Sequence, residues 1–86
     1  MSYDTMQPRT VFDEVEDELR RAQQLHPPAH SGHEGWAIIK EEMDELWEAV
    51  RLKQSTPGRT DKMRREAIQV AAMALRFLIE MDGFQN

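Results

Sequence analysis

The chain has 86 residues, 16 acidic against 11 basic for a net charge of −5, and no cysteine. That length allows one domain, and a chain so short buries only roughly 60–65% of its unfolded surface, so a lone core is marginal. The acidic balance argues against generic nucleic-acid binding; the lack of cysteine excludes disulfide staples and thiolate metal sites and suits a reducing cytoplasm.

Residues 1–9 show no periodicity and contain Pro8, and read as an N-terminal arm without the apolar h-region of a signal peptide. Thr10, with Asp13 three residues on, has the pattern of a capping box. From Val11 to about Leu25, Phe12, Val15, Leu19 and Ala22 form a narrow apolar seam on a helix whose acidic remainder reads as a solvated face. HPPAHSGHEG, residues 26–35, is a loop: Pro27 and Pro28 stop the first helix, and Ser31 or Gly32 caps the next. His26, His30 and His33 invite a zinc reading, but no cysteine accompanies them and their spacing fits no zinc motif. They read as loop histidines that cap helices or line a pocket mouth.

The second helix runs to about Lys53, with Trp36, Ile39, Met43, Leu46 and Val50 as its expected core-facing stripe. QSTPGRTD, residues 54–61, is a turn. Thr60 is the expected N-cap of a third helix ending near Met81 or Asp82, with Gly83 as its C-cap glycine and residues 84–86 as a tail. This helix is apolar nearly all round from Ala67 to Ile79, interrupted by Gln69 and Arg76. The run falls short of the ~20 residues of a membrane span, and no membrane partner is expected. Such a helix must be enclosed, and two amphipathic neighbours cannot enclose it, so a second copy of the chain is expected. The fold expected for residues 10–83 is all-α: a three-helix protomer that forms an oligomeric, four-helix-type bundle.

One stripe of the second helix reads Ile38, Glu42, Glu45, Ala49, Leu52. Glu42 and Glu45 stand there among apolar residues and one turn apart, where like charges repel. Half-buried, two uncompensated carboxylates are costly, and a cation between them removes the conflict. The short turn makes helices 2 and 3 antiparallel neighbours, and equal depths from that turn bring Glu66 level with Glu42 and Glu45, with Gln69 one turn further on. Three carboxylates and an amide form an all-oxygen site suited to Mg2+ or Mn2+. At the same end, Arg51, Lys53, Arg59, Lys62, Arg64 and Arg65 cluster. Phosphates near the helix 3 N-terminus would explain them, and so would ion pairs with the acidic first helix.

EExxE at Glu41, Glu42 and Glu45, then about twenty residues, then ExxQ at Glu66 and Gln69, with the HSGHEGW lead-in and the VAAMALRF segment, resembles the MazG-like all-α nucleoside triphosphate pyrophosphohydrolases from about His30 to Met81. The resemblance implies a helical dimer or tetramer that cleaves the α–β phosphoanhydride of a nucleoside triphosphate with Mg2+, giving the monophosphate and pyrophosphate. It implies Glu42, Glu45 and Glu66 as metal carboxylates, with Gln69 in place of a fourth, an aspartate. Glu41 becomes a second ligand or a base. Lys40, Arg51, Lys62 and Arg65 become candidate phosphate contacts, and Trp36 or Trp47 a platform for the base, unless these residues serve packing or a solvated face. Two other readings stand beside it: a MazG-like protein weakened at Gln69 that binds a nucleotide or partner without catalysis, and a purely structural oligomerisation bundle.

Overall fold

The computed structural model describes residues 9–85; the arm expected over residues 1–9 lies outside them except for Arg9. Helix α1 spans Val11–Leu25 and opens on the expected capping box: the Thr10 hydroxyl accepts from the Asp13 amide, and the Asp13 carboxylate accepts from the Thr10 amide. The prolines hold residues 26–31 in a loop, and α2 then spans Gly32–Val50, with the Ser31 hydroxyl accepting from the Glu34 amide at 3.1 Å. Helix α3 covers Arg59–Glu80 and tightens into a single 3-10 turn at Met81–Gly83. Among the described residues there is no strand, and no helix is long and apolar enough to cross a membrane.

Two expected caps are corrected. The residue before α3 is Gly58, at φ 79°, a left-handed conformation that glycine adopts without a Cβ clash. Thr60 lies inside the helix, because the chain needs that reversal to turn α3 back along α2. At the other end Gly83 does not take the left-handed conformation of a C-cap glycine; the 3-10 turn ends the helix instead. Beyond it the chain packs back: the Phe84 ring meets Phe77 edge to face at 5.1 Å, and the Gln85 amide donates to the His30 carbonyl at 2.7 Å.

Helix α3 is the middle member, packed against α2 on one side and α1 on the other. Contacts set the directions. Gly35 meets Phe77, whereas Val50 near the far end of α2 receives the Arg59 guanidinium at 2.7 Å, so α2 and α3 are antiparallel. Arg64 pairs with Glu14 and Arg76 reaches the Ala22 carbonyl, so α1 and α3 are parallel. The core is thin: Val15, Ala22, Ala72 and Met73, with Leu19, Ile38, Ile39, Ile68 and Ala71 around them.

The expected core stripe of α2 holds at Ile39 and Leu46, which are half-buried, and is corrected at its other members. Trp36 is 52% exposed, and Met43, Trp47 and Val50 are exposed with it. The most buried line is Gly35 and Ala49, with Ile38 and Glu42 half-buried between them, rotated towards α3. Small residues decide this. Gly35, Ala49 and Ala72 let the α2 and α3 backbones approach closely, and a Cβ on Gly35 would lie 2.8 Å from the Phe77 ring.

A polar lock holds the top of the layer. Arg76, only 4% exposed, donates to Glu80 at 2.5 Å, to the Ala22, His26 and Pro27 carbonyls, and so closes the C-terminus of α1. Glu80 in turn accepts from the Ala29 amide at 3.0 Å, pinning the proline loop. In the sequence Arg76 looks like an interruption of the apolar run; folded, it donates to the His26 and Pro27 carbonyls beyond the end of α1 and adds a second donor to the Ala22 carbonyl, which also accepts from the His26 amide.

Candidate metal centre

Glu42 and Glu45 lie one turn apart on the α3-facing side of α2, and the antiparallel crossing brings Glu66 of α3 opposite them. One carboxylate oxygen from each of the three lies within 4.8 Å of the other two. Glu42 and Glu66 are half-buried, Glu45 exposed. The Oε2 atoms of Glu42 and Glu66 are buried without a hydrogen-bond partner. A buried acceptor left in that state carries the full cost of its lost hydration.

The electrostatics follow. Burial, then the facing charges of Glu45, Glu66 and Glu41, pushes the Glu42 carboxyl up to about 7. Glu66 is also raised, by burial first and then by Glu45, while Lys62 and Arg65 pull it the other way. A carboxyl cluster short of compensation is what a divalent cation corrects. The donors present fit one: hard oxygen atoms from two rigid helices, two of them buried and unsatisfied, with no nitrogen or sulfur ligand.

The remaining expected residues divide. Lys62 and Arg65 are close enough to Glu66 to act on its charge. Lys40 pairs with Asp44 at 2.9 Å and Arg51 with Glu48 at 3.4 Å, exposed pairs that hold these cations only weakly. Arg64 takes the ion-pair alternative, bound to Glu14 of α1. Gln69 is half-buried one turn beyond Glu66. Glu41 is exposed and borders, with Glu42, a cavity of about 330 Å³ also lined by His26, Glu34, Met73 and Arg76. Trp36 faces a separate hollow with Gly32, His33 and Phe77. Among the described residues, the only group of three or more potential ligands of the His, Cys, Asp or Glu type is the glutamate trio; of the histidines expected in the loop, His26 and His30 lie there and His33 lies in the first turn of α2, all outside that group. Sequence reasoning missed Arg76 and the cavity it closes. The signal was there in one form: an arginine and a glutamate one turn apart, Arg76 and Glu80, at the end of an apolar run.

Compared with models of known protein families, with curated proteins and with solved structures, the chain matches none.

Proposed function

We propose that this protein is a Mg2+-dependent nucleoside triphosphate pyrophosphohydrolase of the MazG-like type, a homo-oligomer that returns nucleotides to their monophosphates. The observation that carries the reading is the glutamate trio, converging from two helices with two buried oxygens unpaired. Glu42, Glu45 and Glu66 would hold the ion, with Glu41 beside them. Bound there, Mg2+ or Mn2+ would supply Lewis-acid polarisation of the phosphates and a water of lowered pKa.

The chain's own residues do the rest. Lys62 and Arg65, at the same end of α3, would receive phosphate oxygens. The cavity bordering Glu42 gives the organic part of the nucleotide a place, with Met73 as an apolar wall. Glu41, exposed at its rim, is positioned to accept a proton from an attacking water. The family resemblance supplies the bond that breaks, the α–β anhydride.

Gln69 favours a second reading. An amide can ligate Mg2+ but brings no charge and cannot act as a base, so a chain with glutamine there could bind nucleotide without turning it over. Pyrophosphate release from a panel of nucleoside triphosphates, with and without Mg2+, separates the two. The enzyme reading expects Mg2+-dependent release that Glu45→Gln lowers at least a hundredfold. Nucleotide binding without release supports the second reading, and neither Mg2+ nor nucleotide binding supports a structural bundle.

A further inference from the structure

We propose that the apolar groove between α1 and α3 is the face on which a second copy of this chain docks, antiparallel across a two-fold axis, with the Phe12 ring of each protomer seated over Leu78 of the other. This rests on the reading of the protein as a homo-oligomer and gives that assembly its surface.

The first argument is thickness. The protomer measures 44 × 43 × 17 Å with a radius of gyration of 15.2 Å, against about 12 Å for a closed-packed domain of this length. It is one layer of helices. Stable domains need a second layer to close the core, and among the described residues no large side chain is fully buried. The missing layer must be helical, apolar and permanently present.

The second argument is the groove itself. It holds about 750 Å³ and is lined almost wholly by apolar atoms, from Val15, Leu19, Ala71, Ala74, Leu75 and Leu78. Phe12, on its rim, is 85% exposed and finds no place in its own protomer. A large ring standing out beside a trough floored by alanines is a knob next to a hole, the self-complementary form that a two-fold contact requires.

Register supplies the third. Because α1 and α3 are parallel, with Glu14 beside Arg64 and Ala22 beside Arg76, residue i of α1 stands near residue i plus about fifty-two of α3. The groove is centred at the level of Leu19 and Ala71. A two-fold axis there carries Phe12 of one copy to the level of Leu78 of the other. The face is about 33 Å long and two helices, ~18 Å, wide. That projected area of roughly 600 Å² approaches, in accessible surface, the ~800 Å² per partner of a stable interface. The exposed seam of α2, Trp36, Met43 and Val50, is the weaker competitor. The charged residues Lys40, Asp44 and Glu48, paired within α2, flank it.

The test uses two complementary variants and a control, each followed by analytical ultracentrifugation and circular dichroism. Phe12→Glu and Leu78→Lys change side chains exposed in the protomer. Each alone should fall to half the wild-type mass or less. Mixed, they should recover the wild-type mass and helicity, since only the mixed pair sets the introduced carboxylate of one chain against the introduced ammonium of the other. Trp47→Glu, on the α2 side, should keep the wild-type mass. Variants that keep the assembled mass, or a mixture that fails to reassemble, overturn the proposed surface. Loss of assembly by Trp47→Glu alone moves the interface to α2 and leaves the homo-oligomer standing. A wild-type chain that sediments at 10.1 kDa, its groove covered by its own N-terminal arm or awaiting another protein, overturns both.

Discussion

A carboxyl held up to about 7 by burial, as Glu42 is, links the site to pH. Between pH 4.5 and 7 the unfolded chain has lost this proton and the native state keeps it, so stability falls as pH rises through that window. Glu66 is shifted in the same direction. Asp13, held down by its hydrogen bonds to Thr10, and Glu14, held down by Arg64, act oppositely: their contribution is present above the ordinary carboxylate range and lost in acid. The metal-free protein should therefore melt highest near pH 5 and several degrees lower at pH 8, with Glu42→Gln removing most of the decline. Thermal scans across that range decide it, and a flat profile would mean that Glu42 is fully solvated. Mg2+ needs the deprotonated trio, so the rise in melting temperature it causes should be larger at pH 8 than at pH 5.5. Gln69 carries a second prediction. Gln69→Asp restores a fourth carboxylate to the cluster and should tighten Mg2+ binding about tenfold, or ~1.4 kcal/mol, while destabilising the metal-free form. Calorimetry and melting read the two signs together; unchanged affinity would mean that Gln69 faces away from the site. At this scale the convergence of Glu42, Glu45 and Glu66 was legible, because helix spacing and equal depth from one turn place them. Arg76 was not. Its worth depends on carbonyls at the end of another helix, which no local pattern encodes.

At the scale of elements, all three helices were legible from periodicity and the first two from their N-caps, but the caps of α3 and the rotation of α2 were not. The hydrophobic pattern ranks Trp36, Met43 and Val50 above Gly35 and Ala49, whereas packing against α3 selects the side on which backbones can come close. Gly35→Ala tests that reading. Alanine gains about 1 kcal/mol of helix propensity, but its Cβ would sit 2.8 Å from Phe77 and 3.3 Å from Phe84, and overpacking costs ~1–3 kcal/mol. Since Phe77 is braced edge to face by Phe84, the clash should win, with a net loss of about 1 kcal/mol in chemical denaturation; a gain would show that the ring yields. The Arg76–Glu80 lock allows a contrast. Arg76→Met leaves the Glu80 carboxylate without its cation and takes the donor from the His26 and Pro27 carbonyls, and should cost about 3–5 kcal/mol. Glu80→Gln keeps an acceptor for Ala29 and leaves Arg76 its carbonyls, and should cost less. Equal costs would mean that the ion pair, not the closure of α1, is what the arginine supplies.

At the scale of the molecule, an open layer completed by a second copy would make stability a property of concentration. An 86-residue chain one helix thick, with Phe12, Leu78 and Ile79 more than half exposed, leaves apolar surface in water that a closed core would remove, at roughly 25 cal/mol per Å². If copies supply the second layer, folding and association are one equilibrium, and dilution unfolds the protein. For a dimer, tenfold dilution shifts that equilibrium by about 1.4 kcal/mol. With an unfolding entropy of ~2.1 cal/mol/K per residue over two chains, the melting temperature should fall by roughly 4 °C. A tetramer shifts further, because more translational entropy is released per cooperative unit. Differential scanning fluorimetry on the two tryptophans, Trp36 and Trp47, from 1 to 100 μM would show the slope. A melting temperature independent of concentration, with a cooperative transition, would mean that the single layer is stable by itself, and the exposed apolar face would then be open to some other partner.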